Sequence, residues 1–198
     1  MAEVDTPHGP ARVHLHPAES PRAALVLMHG AGAGVDGPDL VATTEVAVAE
    51  GVSVALVEQP YRVAGRKAPA PPAQLDAAWA AVIEYLRAGD LAGLPLIVGG
   101  RSLGARVACR SAESTGAIAV LCLAFPVHAP GQTDPAKSRL SELDAVTVPT
   151  LVVQGKSDPF GMPPPGPNRE VVQVEGDHGL KKDLDALREA VRDWLRKR

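Results

Sequence analysis

Short apolar runs, most of them unbroken and with helical patterns between them, set the main constraint on this chain. They are AALVLM from Ala23, VSVALVE from Val52, LPLIVGG from Leu94, AIAVLCLAF from Ala117, PTLVVQG from Pro149 and EVVQVEG from Glu170. A strand with one wet face alternates apolar and polar residues. A strand covered on both faces does not. The runs therefore predict parallel strands sandwiched between helices. RVHLH from Arg12 does alternate and reads as an edge strand. The intervening helices are PDLVATTEVAVAEG, AQLDAAWAAVIEYLRAG, SLGARVACRSAEST and DLDALREAVRDWLRKR. Leu75, Ala78, Val82, Tyr85 and Leu86 make the inner face of the second, and Trp79 and Trp194 read as core. The alternation predicts a three-layer α/β fold with a mostly parallel sheet of about seven strands. At 198 residues the chain fits one domain, 1–198. Between AIAVLCLAF and PTLVVQG there is room only for one short helix, KSRLSELDAV, so no large cap domain is expected.

Charge and composition exclude several classes of partner. A formal net charge of −3 with 3% aromatics offers neither a basic footprint nor stacking platforms for nucleic acid. The terminal Arg196, Lys197 and Arg198 sit where cations complement a helix C-terminus. The longest apolar run falls short of the ~20 residues of a membrane span. MAEVDTPHGP, read as a frayed terminus holding His8, has no apolar signal-peptide core. Cys109 and Cys122 both lie in apolar segments, as buried thiols of a reducing cytoplasm do.

Two glycine-rich stretches imitate nucleotide motifs. GAGVDG, Gly32 to Gly37, fits G-x-G-x-x-G after a strand, and Glu58 ends the next strand where a ribose-binding acid belongs. Pro38 follows the last glycine, however, so the helix begins after the motif rather than within it. GKS at Gly155 to Ser157 has Thr150 where a phosphate-binding loop needs its first glycine.

Gly100-Arg101-Ser102-Leu103-Gly104 has the G-x-S-x-G spacing, with an apolar strand before it and a helix after it. The strained turn lifts Ser102 from the strand end, and glycines at 100 and 104 remove crowding against its Cβ and the adjoining strand. A serine hydroxyl needs a base. His178, in EGDHGLKK after the last strand, is best placed; His14 and His16 lie on the outer strand, and His29 and His128 lie at strand ends. The imidazole needs a carboxylate. Asp158 at another strand end ranks first, and Asp177, adjacent to His178, second. An oxyanion hole needs two backbone donors: the Leu103 N–H, and one from LMHGAGAG, with Ala31 ahead of Gly32. The chain order Ser102, Asp158, His178 is the α/β-hydrolase order.

LVLMHGAGAG, EQPYRVAGRKAPAPP, GGRSLGARVA, FPVHAPGQ, PTLVVQGKSDPFG and GDHGLK together resemble the small bacterial α/β-hydrolases of the testis-expressed-protein type, related to dienelactone hydrolases. The resemblance spans about residues 23–198 and implies the same fold and the same Ser102, Asp158 and His178. The family often has a histidine where Glu142 stands here, which points to a different pocket. Dienelactone hydrolases proper use a cysteine nucleophile, where this chain has Ser102.

These features predict a cytoplasmic serine hydrolase of a small ester-like substrate, needing no cofactor and no metal, and with no nucleic acid or membrane partner. Tyr61, Arg62, Arg101 and His128 are candidate substrate-binding residues, Tyr61 as pocket wall or as core filler. Arg66 and Lys67 read as solvated loop charges. A non-catalytic interaction module on the same fold and a dinucleotide-binding oxidoreductase are the alternatives.

Overall fold

The computed structural model describes residues 1–132 and 134–198. Its strands are β1 (Ala2–Val4), β2 (Ala11–His16), β3 (Ala23–Met28), β4 (Val52–Glu58), β5 (Leu96–Arg101), β6 (Ala119–Leu123), β7 (Thr150–Gly155) and β8 (Arg169–Val174). Its helices are α1 (Pro38–Ala49), α2 (Pro60–Val63), α3 (Pro72–Ala88), α4 (Leu103–Ser111), α5 (Leu140–Asp144) and α6 (Leu184–Leu195), with a 3-10 turn at Pro135–Lys137. The strands form one sheet in the order β1-β2-β4-β3-β5-β6-β7-β8. β1 and β2 run antiparallel to their neighbours, and all pairs from β4 to β8 are parallel. This is the α/β-hydrolase fold, and the described residues form no separate cap domain.

The unbroken apolar runs have the cause read from them. Along β3, Ala24, Val26 and Met28 face one hydrophobic layer with Trp79 of α3, Val107 of α4 and Leu143 of α5. Ala23, Leu25 and Leu27 face the other, with Leu40 and Val46 of α1 and Leu187 and Trp194 of α6. Every β3 side chain is buried, so neither face calls for polar residues. Trp79 and Trp194 are the largest fully buried side chains. Truncating either to alanine costs about 3–5 kcal/mol by the usual cavity and transfer terms.

Three expectations are corrected. RVHLH is not the edge: the three-residue β1 lies outside it, pairing Ala2 with Val13 and Val4 with Ala11. MAEVDTPHGP is thus partly strand, a segment too short to carry periodicity. RVHLH alternates because it is solvated on one face, not because it lacks a neighbour. Tyr85 is not on the inner face of α3. It is 44% exposed, and Trp79 and Ile83 complete the buried stripe instead. The reading of GAGVDG stands: α1 starts at Pro38, one residue beyond its last glycine, so that loop does not open a helix in the manner of a dinucleotide fingerprint.

Candidate active site

Ser102 stands between β5 and α4 with φ 52° and ψ −105°, a conformation that costs an L-residue about 1–3 kcal/mol. The turn is held by its backbone N–H, which donates to the Leu123 carbonyl at 2.8 Å. The two glycines answer to β3 and to each other rather than to the serine side chain. A Cβ on Gly100 would lie 2.6 Å from the Met28 carbonyl oxygen and 2.7 Å from the Gly104 carbonyl carbon, and a Cβ on Gly104 would collide with that same Met28 oxygen. Only glycines let α4 start this close to the sheet.

His178 reaches Ser102 from the loop after β8. In the neutral tautomer this pairing requires, Nδ1–H donates to Asp158 Oδ2 at 2.8 Å and Nε2 accepts from the Ser102 hydroxyl at 2.8 Å. The loop packs down because β7 ends in Gly155: a Cβ there would run into the carbonyl oxygens of Gly176 and Asp177. The Asp158 side chain is fully buried. Its Oδ2 also accepts from Gln154 Nε2 at 2.9 Å, and its Oδ1 from the Phe160 backbone N–H at 2.8 Å. Asp177 turns away, accepting the Gly179 N–H at 2.8 Å. The Phe160 ring covers the imidazole with centroids 4.1 Å apart.

The loop after β3 lies against the serine: a Cβ on Gly30 would sit 3.6 Å from Ser102 Cβ. Leu103 is the first residue of α4, so its N–H has no acceptor within the helix. Ala31, Ser102, Leu103 and His178 line one cavity of about 360 Å³, with Pro69, Pro126, Pro130 and Phe160 as its apolar wall and Arg101, Arg106 and Arg139 around it.

The substrate-binding candidates fare unevenly. Arg101 lines the cavity, but its Nε lies 3.2 Å from Asp39 Oδ2 and its Nη2 donates to the His178 carbonyl at 3.0 Å. It ties the start of α1 to the histidine loop. Burial pushes the Asp39 carboxyl up, and the Arg101 guanidinium opposes that shift. Tyr61 is buried in the core, its ring edge-on to His29 at 5.8 Å, and it is not among the cavity-lining residues. Burial raises its hydroxyl pKa, while Arg62 and the Gly32 backbone amide oppose this. Arg62 donates to the Arg66 carbonyl. His128 contributes its carbonyl, which accepts from Arg139 Nη1 at 3.2 Å. His29 is structural: the Gln59 N–H donates to its Nε2 at 3.1 Å, and its Nδ1–H donates to the Gly30 carbonyl at 2.8 Å.

Sequence reading missed Gln154, Phe160, Arg106 and Arg139. Gln154 carried a signal, a lone amide within an apolar strand. The others lie in loops and on a helix face where nothing in the local pattern marks them.

The chain matches the sequence profile of the alpha/beta hydrolase domain over residues 21–184. No curated protein shows significant sequence similarity to it. Solved structures do align. Est1E from Butyrivibrio proteoclasticus is 16% identical, with 99% of this chain and 97% of that chain covered and a TM-score of 0.79. A lidless serine hydrolase from Xanthomonas campestris is 20% identical, with 99% and 93% covered and a TM-score of 0.76. A dienelactone hydrolase from Anabaena variabilis is 16% identical, with 99% and 95% covered and a TM-score of 0.76. At such identities the likeness is one of fold.

Proposed function

The chain belongs to the alpha/beta hydrolase domain family, and on that footing we propose that it is a serine hydrolase of a small carboxylic ester or similar acyl compound. The observation that carries this reading is the unbroken relay from Ser102 Oγ through His178 to Asp158, with both hydrogen bonds at 2.8 Å. Nothing but a nucleophile requires a serine in a strained turn, backed by an imidazole that is itself backed by a buried carboxylate.

In the proposed reaction Ser102 Oγ attacks the substrate carbonyl as His178 Nε2 takes its proton. The tetrahedral oxyanion is received by the Leu103 N–H, at the positive end of α4, and by the Ala31 N–H. The Gly32 N–H is the alternative second donor. His178 then protonates the leaving alcohol, and water activated by the same imidazole releases the acyl group. The six motifs further support placing the chain with the testis-expressed-protein-like members. Its two free buried thiols fit a cytoplasmic setting. Among the described residues no helix is long and apolar enough to cross a membrane.

A fluorophosphonate probe should label the protein at Ser102, and Ser102→Ala should abolish labelling. A folded wild-type protein that resists the probe rejects the proposal. Across p-nitrophenyl esters of rising chain length, the shortest acyl groups should turn over best, because the cavity holds about 360 Å³.

A further inference from the structure

Three guanidinium groups stand in the wall of the cavity beside Ser102, but among the described residues only two have a carboxylate partner. Arg101 rests against Asp39. Arg106 binds Glu142 in a two-pronged pair at 2.7 and 2.6 Å, and Glu142 also accepts from Arg110, which in turn holds Asp76. That network balances two cations with two anions. The remaining acid of the site, Asp158, already serves His178, Gln154 and Phe160.

Arg139 is the cation left over. Its position is fixed: its backbone N–H donates to the Val127 carbonyl at 2.8 Å and its Nη1 to the His128 carbonyl at 3.2 Å. A guanidinium carries five N–H donors, so this leaves most of them without an acceptor among the described residues. Burial and the neighbouring Arg106 cation both disfavour its charge, and Glu142 offsets this only in part. A half-buried cation facing an apolar wall gains most from an anion that arrives with the ligand.

We infer that Arg139 is a specificity-determining residue that receives a carboxylate at the unreactive end of the substrate, so that the preferred substrates are monoesters of short dicarboxylic acids. This rests on the serine-hydrolase reading above. One surplus positive charge matches one carboxylate, and a dianionic phosphate would leave a charge unmet. Glu142 is part of the device: by holding Arg106 and Arg110 it keeps the surplus at a single group.

The test compares the p-nitrophenyl monoester of adipic acid with its methyl-capped neutral counterpart. Wild type should favour the free acid by about tenfold or more in kcat/KM, chiefly through KM. Arg139→Met should bring that ratio close to one, and Arg139→Lys should keep part of it. The ratio is internal to each preparation, so a partly unfolded variant does not mimic the result. Equal kcat/KM for the two esters in wild type, or a ratio unmoved by Arg139→Met, overturns the inference. A second arm needs no turnover. Monomethyl adipate should bind Ser102→Ala in calorimetry and bind the Ser102→Ala, Arg139→Met double variant at least tenfold more weakly. Absence of that difference overturns the inference even if no ester is hydrolysed. Its presence alongside failed fluorophosphonate labelling keeps the carboxylate site and rejects the hydrolase reading instead.

Discussion

The Gln154 side-chain amide donates to Asp158 Oδ2 at 2.9 Å, the same oxygen that accepts from His178 Nδ1. The same amide nitrogen lies 3.0 Å from the Phe125 carbonyl and 2.9 Å from the Gly161 carbonyl, so it pins the acid loop to the end of β6 as well. Replacing it with leucine should leave the fold intact and let the carboxylate rotate. A hydrogen bond to a charged group is worth about 1.5–3 kcal/mol, so Gln154→Leu should lower kcat by roughly 10–100-fold with KM little changed. Steady-state kinetics on a short p-nitrophenyl ester checks this, and an unaltered kcat would show that the amide does not position the acid.

The two acids near His178 are told apart by a pair of variants. Asp158→Asn should reduce kcat on the order of 10³–10⁴-fold, because the amide stabilises the wrong imidazole tautomer. Asp177→Asn should change kcat less than about threefold, since Asp177 only closes the turn to the Gly179 N–H. Comparable losses in both would return Asp177 to contention.

Gly155 offers a way to move the imidazole without touching it. A Cβ there meets the carbonyl oxygens of Gly176 and Asp177, directly before His178. Gly155→Ala should displace the loop by a fraction of an ångström to about 1 Å, and such misplacement lowers kcat by up to ~10²-fold. Urea unfolding should register a comparable destabilisation, about 1–3 kcal/mol, typical of overpacking. Full activity in the variant would mean the loop can slide freely.

His29 gives the protein an acid-sensitive point away from the proposed chemistry. Burial holds its pKa below the ordinary imidazole value, and the neutral ring keeps Nε2 free to accept the Gln59 N–H. The sign follows directly. As pH falls below about 6.5, the unfolded chain takes up a proton that the folded one refuses, and stability drops until the folded pKa is reached. The slope is at most about 1.4 kcal/mol per pH unit for this single group. His29→Gln should therefore lose less stability than wild type between pH 7 and pH 5 in denaturant titrations. Parallel stability curves for the two proteins would exclude His29 as the source.

The layered sheet was legible because burial on both faces writes itself as unbroken apolar runs, as in β3, β4 and β6. Ser102, Asp158 and His178 were singled out because each follows a strand, and the structure brings them together because strand ends in a parallel sheet share one rim. β1 was not, since three residues hold no period. Nor was the cavity wall. Arg106 and Arg110 are spaced like any solvated pair on α4, and only the fold brings Glu142 and Asp76 to them. Tyr61 and Arg62 suggested a binding loop from their place after a strand. The short α2 carries them, and it turns the tyrosine ring into the core beside His29.

Ser102, Asp158 and His178 follow β5, β7 and β8 in chain order, with α6 after the histidine. On the proposed reading, a growing chain therefore exposes the hydroxyl long before it owns the group that awakens it. Reactivity then waits until β7 and β8 have zipped together, so an onset of acyl transfer during refolding would mark the completion of this end of the sheet.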